Sequence, residues 1–335
     1  MQMNGIRVSG RLVRLQQVFA DQRDARMVPL YRMLAADRMN ISFLYLNYLA
    51  PARQISCLVE PETLTRLDAG SIPGSGAGAG GKPDAAAAGL VSVFPHRFNP
   101  AAIGILFRVL SRLGLQWHCM ASSGSMLTIV TDYAAQKQAA HAIARAVDLP
   151  ESHGPFCPGQ AHDPIARSLK TAPETVARYV ESKIRTYGID VYTGLTLCSL
   201  QMRADALGEW SEAVSEKGCR FFHASAAPIG ENRVGLDVLL DAGDPESRDF
   251  DIAMLSGSNA NDTVTIRENA ELIRFHGPHF GDRYGIADKA LGRIAAAGAS
   301  VWLAGCVGAT VSIVLAQHTA KKATKALSAA FEMPD

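Results

Sequence analysis

The sequence of 335 residues has almost no net charge, because 33 lysines and arginines balance 32 aspartates and glutamates. A chain at +1 presents no electrostatic footprint for nucleic acid or an anionic membrane surface, so neither partner is expected. The chain lacks an apolar run of about 18 residues, the length typical of a membrane-spanning helix. Its first residues lack the basic start and apolar core of a signal peptide. These absences predict a cytoplasmic protein.

Disulfide and metal patterns are also missing. None of the six cysteines forms a C-x-x-C pair, and they are scattered, mostly on predicted strands. Such cysteines are typical of buried thiols in a reducing compartment. A hydrophobic content of 48% with 19% charged residues still leaves enough apolar side chains for two to four compact units.

A glycine-rich stretch at residues 74–82 resembles a phosphate-binding loop only in its composition. Lys82 is followed by Pro83 rather than by Ser or Thr, and no helix start follows at the required place. The stretch therefore indicates a flexible linker, which is assigned to residues 71–88.

Candidate catalytic groups are incomplete. His276 and His279 are the only two histidines close together in the sequence. Asp282 is the only other nearby residue that could bind a metal ion. A zinc site needs about four ligands, or three and a water, so a surface loop is the favoured interpretation. The serines at 122–125 lack the elbow pattern and partner histidine of an activated nucleophile. No catalytic residue, metal ligand or cofactor is predicted.

The clearest periodic pattern runs from Gly89 to Val147 and predicts strand, helix, strand, strand and helix. Residues 90–94 are β-branched or aromatic, and residues 102–113 place apolar side chains on one helical face. Gly114 follows as a helix-ending glycine. Strands are expected on either side of the serine-rich turn at 122–125. This βαββα order is that of a ferredoxin-like split unit, if a last strand completes it.

The same order recurs from Leu272 to Phe331. Gly114 and Gly298 are as far apart in the sequence as Gly124 and Gly308, which indicates an internal duplication. Residues 5–67 and 195–255 follow the order more loosely. The last strand of each unit is obscure, and a sheet edge left open would favour pairing between units.

Residues 99–114 and 119–125 resemble an ACT domain. Among ACT domains, they are most similar to those in the regulatory half of aspartate kinases. The resemblance implies an α/β (α+β) fold of four ferredoxin-like βαββαβ ACT-type repeats in two tandem pairs, with antiparallel sheets and helices on one face. The predicted boundaries are 1–70, 89–150, 191–258 and 268–335 for the repeats, 71–88 for the linker, and 151–190 for a loop and bridging helix.

In ACT domains, the effector is a small molecule, usually an amino acid, and binds at the interface between two units. It is held there by the loop that joins the first strand to the first helix. A helix N-terminus there presents free N–H groups and a positive dipole end, which suit an α-carboxylate. Asn99 or Asp282 would accept from an α-ammonium, although a plain helix-capping role is equally open. The resemblance implies these ligand-binding residues: His96, Phe98, Asn99, Pro100, Ala101, Ser122, Ser123, Ser125, His279, Gly281, Asp282 and Cys306.

The sequence thus predicts a regulatory or sensor protein that binds a small amino acid at ACT interfaces and is not an enzyme, since repeats and linkers leave no room for a kinase-like region. The expected partners are that effector, a second copy in a homodimer formed through the sheets, and a biosynthetic enzyme. Two alternatives stay open. One is an assembly module without an effector, and the other is an enzyme with an unrecognised site at His276, His279 and Asp282.

Overall fold

The computed structural model describes residues 1–19, 28–49, 53–62, 87–151, 183–241, 262–278, 280–281 and 283–332. Residues 71–86 of the predicted linker and most of the predicted bridging helix lie outside this described part. So do residues 242–258 of the third predicted repeat, where its βαββα order places a short second helix at 248–255. The described helices are α1 (Leu30–Ala36), α2 (Ala101–Leu113), α3 (Gln136–Ala146), α4 (Ala206–Glu216), α5 (Ile286–Ala296) and α6 (Ala320–Leu327). The described strands are β1 (Gly5–Val8), β2 (Leu12–Val18), β3 (Phe43–Asn47), β4 (Gln54–Val59), β5 (Ala87–Phe94), β6 (Trp117–Ser122), β7 (Leu127–Asp132), β8 (Ile184–Arg185), β9 (Gly188–Arg203), β10 (Arg220–Gly230), β11 (Arg233–Asp241), β12 (Thr263–His276), β13 (Val301–Val307), β14 (Thr310–Leu315) and β15 (Phe331–Glu332).

One antiparallel sheet, closed on itself, organises the described chain. Its order is β5-β2-β4-β3-β13-β14-β12-β9-β11-β10-β6-β7, and β7 pairs back with β5 to complete the ring. Strand β1 pairs with β5 outside the ring. Strands β8 and β15 form a separate parallel pair, so residues 184–185 are a strand where a helix was predicted.

The predicted fold class, four tandem ferredoxin-like βαββαβ repeats, is therefore wrong. The described strands join one continuous ring, in which β3 pairs with β13, β10 with β6, and β12 with β9. The physical reason lies in the strand edges. Within the described residues no last strand covers each predicted unit, and the exposed N–H and C=O groups of an edge strand gain hydrogen bonds by pairing with a neighbouring segment.

Both faces of the ring are covered, which explains why its strands are nearly continuously apolar. Helices α2, α3 and α4 pack on the outside of one half, and α1, α5 and α6 on the outside of the other. Inside the ring the two halves face each other, because Asn47 Nδ2 on β3 donates across it to Asp237 Oδ2 on β11 at 2.8 Å. Two apolar clusters also lie inside the ring, one around Tyr45 and one around Leu239.

Helices α2 and α4 approach most closely at Gly104 and Gly208. A methyl group at Gly104 would lie 3.0 Å from the Gly208 carbonyl oxygen and 3.0 Å from Ser211 Cβ. We expect Gly104→Val to lower the free energy of unfolding by about 1–3 kcal/mol, because the helices must move apart. Urea denaturation measures the loss. Gly10→Ala is the control, since nothing lies within 4 Å of its new methyl group, and equal stability of the two variants would contradict the close approach.

The described cysteines Cys57, Cys119, Cys198, Cys219 and Cys306 are free thiols, and all but Cys306 are buried. Burial raises the pKa of Cys119 and Cys198 to about 12, so these thiols stay protonated and pack as apolar groups. The sixth cysteine lies outside the described residues. No helix in the described part is both long and apolar enough to cross a membrane.

Candidate functional site

The loop from β5 to α2 is built around His96, whose ring is completely buried. Its Nδ1 accepts from the Phe98 N–H at 2.9 Å, so the proton sits on Nε2, which donates to the Ser123 carbonyl at 3.1 Å. Burial lowers the pKa of His96 to about 4, the Ser123 contact opposes that shift, and Arg274 adds to it. His96 is therefore a neutral link between this loop and the β6–β7 turn.

Asn99 caps the start of α2. Its Oδ1 accepts from the Ala101 N–H at 2.8 Å, as a helix-capping side chain does, and also from Ser215 Oγ on α4 at 2.8 Å. Pro100 is buried between these contacts, and Ala101 is half-buried. The amide oxygen that a ligand ammonium would need is thus already engaged within the fold.

Phe98 covers the space between this loop and β10. Its ring stacks on Phe222 with centroids 5.3 Å apart, and the Arg220 guanidinium lies 5.1 Å from its centroid. The Phe98 carbonyl accepts from the Phe221 N–H at 2.9 Å. Protein side chains therefore fill this junction.

The predicted serines lie next to the same loop. Ser122 Oγ accepts a hydrogen bond from the Ala224 N–H on β10 at 2.8 Å. Ser123 Oγ accepts one from the Met126 N–H of its own turn at 3.1 Å. Ser125 has an exposed side chain, and its carbonyl accepts from the His96 N–H at 2.9 Å. The structure thus brings the two predicted segments of this site together.

A corresponding junction at the start of α5 is named here the α5 cleft. It is lined by Tyr31, Asn40, Ile41, Phe280, Arg283, Gly285, Ile286, Ala287, Asp288, Cys306, Gly308, Ala309, Thr310 and Val311, with a cavity volume of about 20 Å³. Asn40 Nδ2 donates to the Gly281 carbonyl. The Cys306 residue is half-buried, but its thiol lies on the buried side, and this burial raises its pKa to about 12. His279 and Asp282 lie outside the described residues, and His276 is exposed beside Tyr187.

A larger opening, the β10–β11 cleft, lies between the β10–β11 hairpin and the end of α2. It has a cavity volume of about 360 Å³ and is lined by Phe107, Leu110, Ser111, Gly114, Leu115, Gln116, Trp117, Ala204, Pro228, Gly230, Glu231, Asn232, Arg233 and Val234. Arg233 is half-buried, donates from Nη2 to the Gln201 carbonyl at 3.0 Å and forms an ion pair with Asp262 at 3.4 Å. Glu231 is exposed. This cleft could not be recognised from the sequence, because the hairpin has the residues of an ordinary turn. The one available signal was the opposite charges of Glu231 and Arg233 around it.

Within the described ranges, no group of three or more His, Cys, Asp or Glu side chains lies close enough to hold a metal ion. The chemistry of the two clefts is instead that of polar and charged side chains beside apolar walls. Arg283 and Asp288 line the α5 cleft, where Asp288 accepts from Arg32 Nε at 3.0 Å. Each cleft therefore carries one cationic and one carboxylate residue.

Compared by sequence, the chain matches no protein-family model and no curated protein. By fold it is similar to an aspartate kinase from Synechocystis, which aligns with 98% of this chain at a TM-score of 0.66 and 13% identity. The chain spans 55% of that enzyme's length. The regulatory subunits of aspartate kinase from Thermus thermophilus and Thermus flavus align with 44% and 43% of this chain and 99% and 96% of their own, with TM-scores of 0.39 and 0.38 and identities of 14% and 12%.

The predicted relationship to aspartate kinase is confirmed at the level of the fold. The prediction that the chain is not an enzyme is wrong by the same comparison, because the structure that shares its fold over nearly the whole chain is that of an enzyme. The prediction rested on assigning every segment to a repeat or a linker. That assignment does not exclude catalysis, because the same fold occurs in an enzyme.

Proposed function

We propose that this chain is the effector-binding regulatory region of an aspartate kinase-type enzyme and that it binds a small amino acid in the β10–β11 cleft. The observation that carries the proposal is the cleft itself, with a volume of about 360 Å³ beside Glu231 and Arg233. Small-molecule sites usually span about 300–1,000 Å³ and combine apolar walls with a few polar groups. The shared fold of the Synechocystis aspartate kinase supports the enzyme class.

The charges in this cleft match the two ends of an amino acid. Arg233 is held by the Gln201 carbonyl and by an ion pair with Asp262, whose Oδ1 lies 3.4 Å from Nη1. Its planar guanidinium carries five N–H donors and suits an α-carboxylate as a further acceptor. Glu231 supplies the acceptor for an α-ammonium. Phe107 and Trp117, whose rings meet edge to face at 5.3 Å, form an apolar wall for the ligand side chain.

The α5 cleft is a second proposed site, with Gly281 and Cys306 at its edge and Arg283 and Asp288 as its charged groups. Its volume of about 20 Å³ holds roughly one water, so an amino acid binds there only if the loop before α5 moves outward. The free N–H groups at the start of α5 would then face the α-carboxylate.

Ligand contacts at the loop after β5 stay a prediction for His96, Phe98, Asn99, Pro100 and Ala101, and likewise for the serines of the β6–β7 turn. A ligand there has to displace Phe98 from its stack on Phe222. Homodimer formation and a link to a biosynthetic enzyme also stay predictions, and light scattering on purified protein measures the first.

A thermal-shift screen against the common amino acids tests the proposal, with lysine, threonine and methionine first. A ligand that binds only the folded state raises its stability in proportion to ln(1 + [L]/Kd), so one amino acid is expected to raise the melting temperature in a saturable way. Glu231→Gln is expected to weaken its binding about 10- to 100-fold, the usual effect of losing a charge-assisted hydrogen bond.

Glu216→Gln is the matched control, because Glu216 is exposed on α4 and lines neither cleft. This variant should bind like the unchanged protein. Two results would refute the β10–β11 cleft as the site. One is an unchanged melting temperature with every amino acid up to millimolar concentrations, and the other is an equal loss of affinity in Glu231→Gln and Glu216→Gln.

A further inference from the structure

Arg274 on β12 is a buried cation inside the closed sheet, with 5% of its surface exposed. Its Nη2 donates to the Phe222 carbonyl, and the Tyr192 side chain, which also hydrogen-bonds the guanidinium, lies with its ring 5.6 Å away. The Nε–H has no hydrogen-bond partner. Among the described residues no carboxylate lies within ion-pair distance of Arg274. The charge of Asp190 influences Arg274 only from farther away, and Asp190 is exposed. Burying a charge without a counter-ion is costly, so this arrangement needs a cause.

Three further buried side chains beside Arg274 have polar atoms without a partner. His223 and Ser312 are completely buried and Ser225 is 1% exposed. Neither ring nitrogen of His223 has a hydrogen-bond partner in the described part of the chain, and neither do the two hydroxyls. Buried polar atoms are nearly always hydrogen-bonded, and leaving one unpaired is costly, so several together indicate a bound group.

The strand register places these groups around one point. Ser312 on β14 lies directly opposite Arg274 on one side and Gly305 on the other, so the three share the inner face of the sheet. Ser225 follows His223 by two residues on β10 and therefore points to the same side. The two halves of the ring meet here, because a methyl group at Gly305 would lie 3.5 Å from His223 Cε1.

We propose that this point binds a small monovalent anion, such as chloride or a short carboxylate, held by Arg274 Nε–H, the hydroxyls of Ser225 and Ser312, and an N–H of His223. The cation supplies the charge, and the hydroxyls and imidazole supply neutral donors, which together suit an anion better than a water or a metal ion. The turn at Gly124 packs against the same guanidinium, because a methyl group at Gly124 would lie 3.5 Å from Arg274 Nη1.

The interior carboxylate of Asp237 does not fill this role. Its oxygens accept from Ser199 Oγ at 2.5 Å and from Asn47 Nδ2 at 2.8 Å, and it forms no ion pair with Arg274. Burial and, to a smaller extent, the charge of Arg274 together lower the pKa of His223 to about 3, so the imidazole is neutral with one N–H to donate. This inference is independent of the proposed amino-acid site.

Two measurements on the unchanged protein test it. Crystals grown in sodium bromide are expected to show an anomalous peak in contact with Arg274 Nε. In solution, chloride, bromide and formate are expected to raise the melting temperature by about 2 °C or more over gluconate at equal ionic strength, because gluconate is too large for the site. If formate alone raises the melting temperature, the bound anion is a carboxylate. If chloride and bromide alone raise it, the bound anion is chloride.

Variants locate the effect. Arg274→Gln is expected to abolish the difference between chloride and gluconate, and Ser312→Ala, a milder change, to reduce it. Arg267→Gln is the matched control, because Arg267 lies on the same strand, contacts Ser199 and is partly exposed. A water or an empty position beside Arg274 in the bromide crystals, together with no difference between formate and gluconate in solution, would overturn the proposal. A bromide peak without any difference in solution would do the same, as it would mark an adventitious ion only.

Discussion

Acidification in gluconate buffer from about pH 6 to about pH 4 is expected to lower the free energy of unfolding by about 1.4 kcal/mol per pH unit. Burial lowers the pKa of His96 from 6.5 to about 4 and that of His223 to about 3. Both histidines therefore bind a proton in this range only when the chain unfolds. Their contribution to stability is complete above pH 6.5 and is lost as the pH falls.

Asp237 acts in the opposite direction. Burial raises its pKa from 3.8 to about 6, against the hydrogen bonds from Ser199 and Asn47 and the charge of Arg267, which lower it. It therefore holds a proton in the folded state that it releases on unfolding, and this contribution is lost as the pH rises through about 6. Two protons gained and one released leave a net uptake of one, which sets the expected slope.

Asp237→Asn is expected to double that slope to about 2.8 kcal/mol per pH unit, because the compensating proton is gone. Urea denaturation at a series of pH values measures it, and subtracting the two curves cancels the histidines. Asp190→Asn, which removes an exposed carboxylate, serves as the control and should keep the original slope. Parallel curves for the unchanged protein and Asp237→Asn would contradict the buried, protonated carboxyl.

Phe275→Ala is expected to lower the free energy of unfolding by about 3–5 kcal/mol, because it opens a cavity in the core beneath α5. The Phe275 ring is completely buried and packs edge to face against Phe280 at 5.8 Å and Phe331 at 5.1 Å. Phe280 belongs to the loop of the α5 cleft, so the same change should loosen that loop.

Urea denaturation at neutral pH checks the size of this loss. Tyr187→Ala is the control, since 63% of the Tyr187 side chain is exposed and its removal should change stability by no more than about 0.5 kcal/mol. A loss below about 1 kcal/mol for Phe275→Ala would show that the three rings do not form a packed cluster.

Local elements were predictable from the sequence, and their assembly was not. The apolar period at 102–113 and the following glycine predicted α2, which spans Ala101–Leu113 and ends at Gly114 with a φ of +58°. The closure of the sheet depends on pairs such as Leu44 with Cys306, which are far apart in the chain. No local period encodes which edges pair, and that gap made the predicted fold class wrong.

The candidate sites show the same limit. The loop around His96 and the turn at 122–125 do meet, as the resemblance implied. The contact of Ser215 with Asn99 and the stacking of Phe222 on Phe98 could not be predicted, because both partners come from a distant segment. The unpaired polar atoms inside the ring carried a weak signal, since His223 and Ser225 alternate with apolar residues along a buried strand.

Hydrogen–deuterium exchange with and without the most stabilising amino acid tests the central claim most directly, because it locates the ligand as well as detecting it. Binding in the β10–β11 cleft predicts slower exchange at residues 111–117 and 228–234, with exchange at residues 95–101 unchanged. Protection at residues 95–101 without any at 228–234 would contradict this assignment, and unchanged exchange throughout would contradict amino-acid binding by this chain.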